Sequence, residues 1–187
     1  MQATITINFV VDVNAFIDAL NGKPIPKTVA DLYTTMPLMA EIAATTGAHL
    51  VDSDHILDLL ETKLVTLLGY TEDEAADFTD LVQEVSAATQ GTYVSLEDGQ
   101  EAATEIVSTI NPRFLGNGRG QIDHEDQQVL GAAHLAKKCD EDANAKVVIV
   151  TRDGGIHNIG TDVACKDIVV ANTDKSLVVL AAMRRHR

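Results

Sequence analysis

Ile5-Thr6-Ile7-Asn8-Phe9-Val10-Val11-Asp12-Val13-Asn14 is an apolar, β-branched run that ends on an aspartate and an asparagine before Phe16 and Ile17 begin a helical pattern. Lys146-Val147-Val148-Ile149-Val150 is a second such run, followed by Thr151, Arg152 and Asp153. Neither alternates apolar with polar residues. A strand apolar on both sides must be covered on both faces, which is the situation of a parallel sheet packed between helices. Shorter strands are expected at Ala48 to Asp52 and Asp167 to Ala171, and at Thr92 to Ser95 either a strand or a loop. The segments between them carry helical signals. Thr28 with Asp31, and Thr71 with Glu74, have the spacing of N-terminal caps. Ser53 is placed to cap a helix with Ile56, Leu57, Leu60 and Leu64 on one side, and Gly69 stops it. Asp123 starts a helix running to about Lys138, and a short helix is expected over Ser176 to Met183. Strands separated by helices specify an α/β fold, a three-layer sandwich with a central parallel sheet flanked by helices.

The chain has 187 residues, 45% of them apolar, within the range of one globular domain over 1–187. It carries 28 acidic against 14 basic residues, a formal charge of -14. No Lys or Arg lies between Lys63 and Arg113, a 49-residue interval with ten acids, so a helical acidic segment spans about 70–120. Such a surface repels phosphate at long range, and any nucleic-acid role must work through a local site, a cation or a basic partner. Aromatics are 4% with no Trp, which argues against a base-stacking platform. No apolar run approaches membrane-spanning length, and no basic residue precedes Lys23 to start a signal peptide, so the expected location is cytoplasmic. Cys139 and Cys165 lack metal or redox spacing and read as ordinary thiols.

In open parallel sheets, ligands collect beyond the carboxyl ends of the strands. Asp12 and Asp153 lie there on two buried strands, and Asp126 falls in the first turn of the helix carrying Val129, Leu130, Ala133 and Ala136. Three gathered carboxylates repel one another unless one is protonated or a cation joins them, and oxygen donors suit Mg²⁺ or Mn²⁺. Each acid also has a structural explanation. Asp12 can cap the helix after it, Asp123 and Asp126 can cap each other, and Asp153 before Gly154-Gly155 can form a turn.

In order, Val10-Val11-Asp12-Val13-Asn14, Asp123-His124-Glu125-Asp126-Gln127-Gln128-Val129-Leu130-Gly131-Ala132-Ala133 and Ile149-Val150-Thr151-Arg152-Asp153-Gly154-Gly155-Ile156 resemble the three acidic motifs of the PIN domain. That family comprises metal-dependent nucleases and includes many toxins of toxin-antitoxin pairs. The resemblance runs from Ile7 to about Met183. It implies a PIN-like fold and an endonuclease, above all an endoribonuclease, in which Asp12, Asp58, Asp126 and Asp153 hold one or two Mg²⁺ or Mn²⁺ ions. Asp58 takes the place of a further Glu that the family carries on the helix after the second strand, with Glu61 and Asp54 as neighbours. Asn14, Thr151 and Asp123 would orient the ligands, and Arg119 and Arg152 are candidates for phosphate contact. Single-stranded RNA, a protein antitoxin or other basic partner, and a homodimer are the implied associations.

Other hydrolases fit less well. The six histidines form no HExxH pair. A phosphatase of the haloacid-dehalogenase type needs an Asp where Asn14 stands. The alternative from another class is a PIN-like binding or assembly module without turnover, docking a basic partner through its acidic helices.

Overall fold

The computed structural model describes residues 5–140, 144–162 and 165–185. Four parallel strands, β1 (Ile7–Val11), β2 (Ala48–Leu50), β5 (Lys146–Val150) and β6 (Ile168–Ala171), form a sheet in the order β2-β1-β5-β6. Between β1 and β2 come α1 (Val13–Leu20), α2 (Val29–Thr35) and α3 (Pro37–Ala44). Phe9, Val10 and Val11 are at most 2% exposed, so residues pointing to opposite sides of β1 are equally covered. Helices therefore flank the sheet on both faces, as in a three-layer sandwich. Right-handed crossovers account for this, since the chain steps from β1 to β2 in one direction and from β5 to β6 in the other.

The strand expected over Ala48 to Asp52 is two strands in two sheets. β2 stops at Leu50, whose carbonyl accepts from the Ser86 hydroxyl at 2.8 Å. β3 (Asp52–Ser53) then pairs in parallel with β4 (Tyr93–Val94). Gly91 makes this junction possible, because a Cβ there would overlap the Leu50 carbonyl oxygen at 1.6 Å. Ser53 precedes α4 (Asp54–Leu68) but makes no side-chain cap. Asp54, the first residue of α4, accepts from Tyr93 Oη at 2.9 Å and the Leu96 amide at 3.2 Å, joining α4 to the start of α6 (Leu96–Thr109).

The acidic segment is woven into the core. α5 (Glu72–Ala88) opens with the expected Thr71–Glu74 capping box and buries Ala75, Phe78, Leu81, Val82 and Val85. Phe78 meets Phe16 of α1 edge to face, with ring centroids 6.2 Å apart. The acids of α5 and α6 line the outer sides of these helices. α7 (His124–Cys139) packs on β1 and β5, and against α6 closely enough that a Cβ on Gly131 would lie 2.5 Å from the Gly99 carbonyl. α8 (Gly154–Ile159) falls where only a turn was expected, and α9 (Thr173–Arg185) extends the expected C-terminal helix at both ends. Among the described residues no helix is long and apolar enough to cross a membrane.

Candidate functional site

The strand order reverses between β1, which has β2 on its other side, and β5, which has β6 on its other side. The crevice beyond the adjacent ends of β1 and β5 is the position where open α/β sheets bind ligands. Asp12 leaves β1 there, held beside β5 by its amide, which donates to the Val150 carbonyl at 3.0 Å. It is 5% exposed. Although it precedes α1, its carboxylate makes no cap to that helix. Its Oδ2 instead accepts from Thr151 Oγ1 at 2.7 Å and Asn14 Nδ2 at 3.2 Å. Burial raises the Asp12 pKa, and these hydrogen bonds, the Val13 backbone N–H and the charge of Lys63 act against it.

Thr151 links two of the acids. Its buried hydroxyl donates to Asp12 and accepts from the Asp153 amide at 2.9 Å, so one oxygen sets the relative positions of the two strand ends. Asp153 Oδ1 accepts from the amides of Gly155 and Ile156 at 2.6 and 3.1 Å, capping α8. Asp123 and Asp126 form a capping box at the start of α7, each accepting from the other's amide. The capping explanation thus holds for the Asp123–Asp126 pair and fails for Asp12, while Asp153 caps a helix where a turn was expected. Capping does not relieve the crowding. Asp126 is pushed up to about 7 by burial and then by Asp153, with Asp123 and Asp12 adding and the Asp123 amide opposing.

Beside these acids lies the segment Gly116 to Gln121, which is tied down at several points. Gly116 N donates to the Ile122 carbonyl, Gln121 Nε2 to the Arg113 carbonyl, and Asn158 Nδ2 to the Gly120 carbonyl. Gly155 has to be glycine for the loop to sit so close, since a Cβ would stand 2.2 Å from the Gln121 carbonyl oxygen. Loop and acids line a solvent-open cavity of about 400 Å³ whose walls include Arg119, Asp123, Asp126 and Asp153.

The fourth acid does not join them so clearly. Asp58 is exposed, and its charge acts on His55; it is not among the leading influences on Asp12 or Asp126. Its neighbours have other employment, Asp54 at the α6 junction and Glu61 accepting from Thr79 Oγ1 at 2.6 Å. What α4 brings toward Asp12 is a cation, Lys63, whose ammonium lies 3.1 Å from Glu125 Oε2. No local pattern marks Lys63, because its partner is 62 residues away on α7. His157, also unforeseen, contacts the Thr151 carbonyl through Nε2 at 3.2 Å. Arg152 pairs with Asp18.

The donors are of the kind a hard divalent cation takes, all oxygen and anionic, and crowded enough to hold Asp126 near neutrality. Their spacing is wider than an ion requires: among the described residues no three His, Cys, Asp or Glu side chains are positioned to share one. Side-chain rotation would have to close the set. The chain matches no protein-family model and no curated protein.

Proposed function

We propose that the chain is a PIN-like, metal-dependent endonuclease acting on single-stranded nucleic acid, foremost RNA. One observation carries this reading: Asp12, Asp126 and Asp153 come from distant parts of the sequence to the crevice beside the switch in strand order, where Asp126 is pushed up to about 7 by burial and by its fellow acids. Asp12, Asp126 and Asp153 would hold Mg²⁺ or Mn²⁺, with Asp58 the remaining candidate on α4. Bound there, the ion would activate water and offset negative charge developing on the phosphate. The protein's own part is positioning. Thr151 and Asn14 hold the Asp12 carboxylate, the Asp153 carboxylate is fixed by the amides of α8, and the tied loop closes one side of the cavity.

A second reading is favoured by a different surface. Glu72, Asp73, Asp77, Asp80 and Glu84 are all exposed on α5, several of them beside a groove with Ile25, Pro26 and Leu81. An assembly module docking a basic partner would use that face. Labelled single-stranded RNA and DNA incubated with Mn²⁺ or Mg²⁺ separate the two. Cutting by the wild type, reduced roughly a thousandfold in Asp12→Asn, is expected of the nuclease, since metal assistance is worth several kcal/mol. No cutting by either protein on several substrates would favour the docking module.

A further inference from the structure

Three arginines, Arg113, Arg119 and Arg152, stand on the segments that carry the site residues or adjoin them, and the structure separates them. Arg152 is committed to an ion pair with Asp18 on α1. Arg113 lies over the Phe114 ring, its guanidinium carbon 4.5 Å from the ring centre. Arg119 makes no ion pair among the described residues and contributes to the wall of the cavity that also contains Asp126 and Asp153. Its place is set by the backbone around it. Gly120 adopts φ +78°, and its carbonyl is held by Asn158 Nδ2 at 3.0 Å. Immediately before Arg119, Gly118 N donates to Gln121 Oε1 at 2.9 Å, while Gln121 Nε2 donates to the Arg113 carbonyl at 3.0 Å. The loop thus presents a guanidinium on a braced turn to a cavity whose other charged side chains are carboxylates.

We infer that Arg119 is the substrate-binding residue of this site, contacting a phosphate of a single-stranded nucleic acid lodged between the Gly116–Gln121 loop and the carboxylates. This deepens the nuclease reading and rests on it. The chemistry follows from the charge. A phosphodiester approaching an acidic pocket is repelled, and a planar guanidinium able to donate two parallel hydrogen bonds to phosphate oxygens offsets that repulsion on the side away from the acids. A cavity of about 400 Å³ is at the small end of pockets that take a small ligand, which suits one nucleotide rather than a duplex. Its walls contain no aromatic side chain, so the bound nucleotide is held by its phosphate and not by a stacked base.

The test is steady-state cleavage of a fluorescein-labelled single-stranded RNA in Mn²⁺ by wild type, Arg119→Ala, Arg119→Lys and Arg113→Ala. Arg119→Ala should raise KM roughly tenfold, the loss of one charge-assisted contact, with kcat little changed. Arg119→Lys should recover part of this, and Arg113→Ala should behave as wild type. The Mn²⁺-induced rise in melting temperature should be the same in Arg119→Ala as in the wild type, showing the carboxylates undisturbed. Equal KM for Arg119→Ala and wild type, or a loss confined to kcat, would overturn the assignment while leaving the nuclease reading in place. A wild type that neither cuts RNA nor binds it in a fluorescence-anisotropy titration overturns both.

Discussion

Thr71–Glu74 and Asp123–Asp126 are the same local device, a capping box in which the third helical residue reaches back to the amide of the cap. Their carboxyls move in opposite directions. Glu74 is half-buried, and the amide and hydroxyl of Thr71 hold its pKa below the ordinary glutamate value. Asp126 accepts a comparable hydrogen bond from the Asp123 amide, yet burial and the neighbouring Asp153 prevail and push it up to about 7. Both carboxyls accept the amide of their cap residue; Glu74 also accepts from the Thr71 hydroxyl, whereas Asp126 faces the charge of Asp123, and at α7 the rest of the fold adds Asp153 and makes burial the largest influence. An acid in a capping motif is therefore a structural residue on α5 and a strained member of a cluster on α7.

The largest expected consequence is the response to a cation. Millimolar Mn²⁺ should stabilise the wild type and Glu74→Gln alike, by ~2.7 kcal/mol when the ion is about a hundredfold above its Kd. For a chain of this size that is roughly 5–10 °C. Asp126→Asn should lose the response. An undiminished rise in Asp126→Asn, measured by differential scanning fluorimetry, would place the ion elsewhere.

A second, smaller contrast lies in pH. Because Asp126 binds its proton more tightly folded than unfolded, its contribution to stability is fully present below about pH 4 and is lost as pH rises toward 7. Glu74 has the opposite sign: its contribution is present above its unfolded pKa and is lost as pH falls through the lowered folded value. Melting temperatures of wild type, Asp126→Asn and Glu74→Gln from pH 3 to 8 without metal should show the Asp126→Asn protein gaining on the wild type as pH rises, and Glu74→Gln losing on it. Parallel curves would mean that the two environments are alike after all.

The smallest effect concerns the caps themselves. Thr71→Ala should cost about 1 kcal/mol, the ordinary value of an N-cap. Asp123→Ala removes a similar cap but also a negative charge that acts on Asp126, so its cost in urea unfolding should be less. A larger loss for Asp123→Ala would show that capping outweighs repulsion at α7.

Much of the architecture was legible in the residues. β5 occupies the run Lys146 to Val150, and the two capping boxes start the helices they announced, because apolar runs and caps act over a few residues and need no partner from afar. The boundary at Leu50 was not legible. There a carbonyl taken by Ser86 and a glycine approach from Gly91 end one strand and send the chain to another sheet. α8 was missed for a related reason, since two glycines discourage a helix until Asp153 caps it and the Gln121 backbone demands the smallest side chain at Gly155.

At the site, sequence alone determined which acids end the buried strands and which one opens α7, since each follows from hydrophobic pattern and cap spacing. Tertiary structure decided what those acids do. It gave Asp12 to Thr151 and Asn14 instead of to α1, left Asp58 exposed beside His55, and brought Lys63 toward Asp12 with Glu125 as its partner. It also withdrew Arg152 to Asp18 while leaving Arg119 at the cavity. Burial and electrostatic coupling between groups more than a hundred residues apart arise only when the sheet order sets β1 beside β5, and no local pattern encodes that distance.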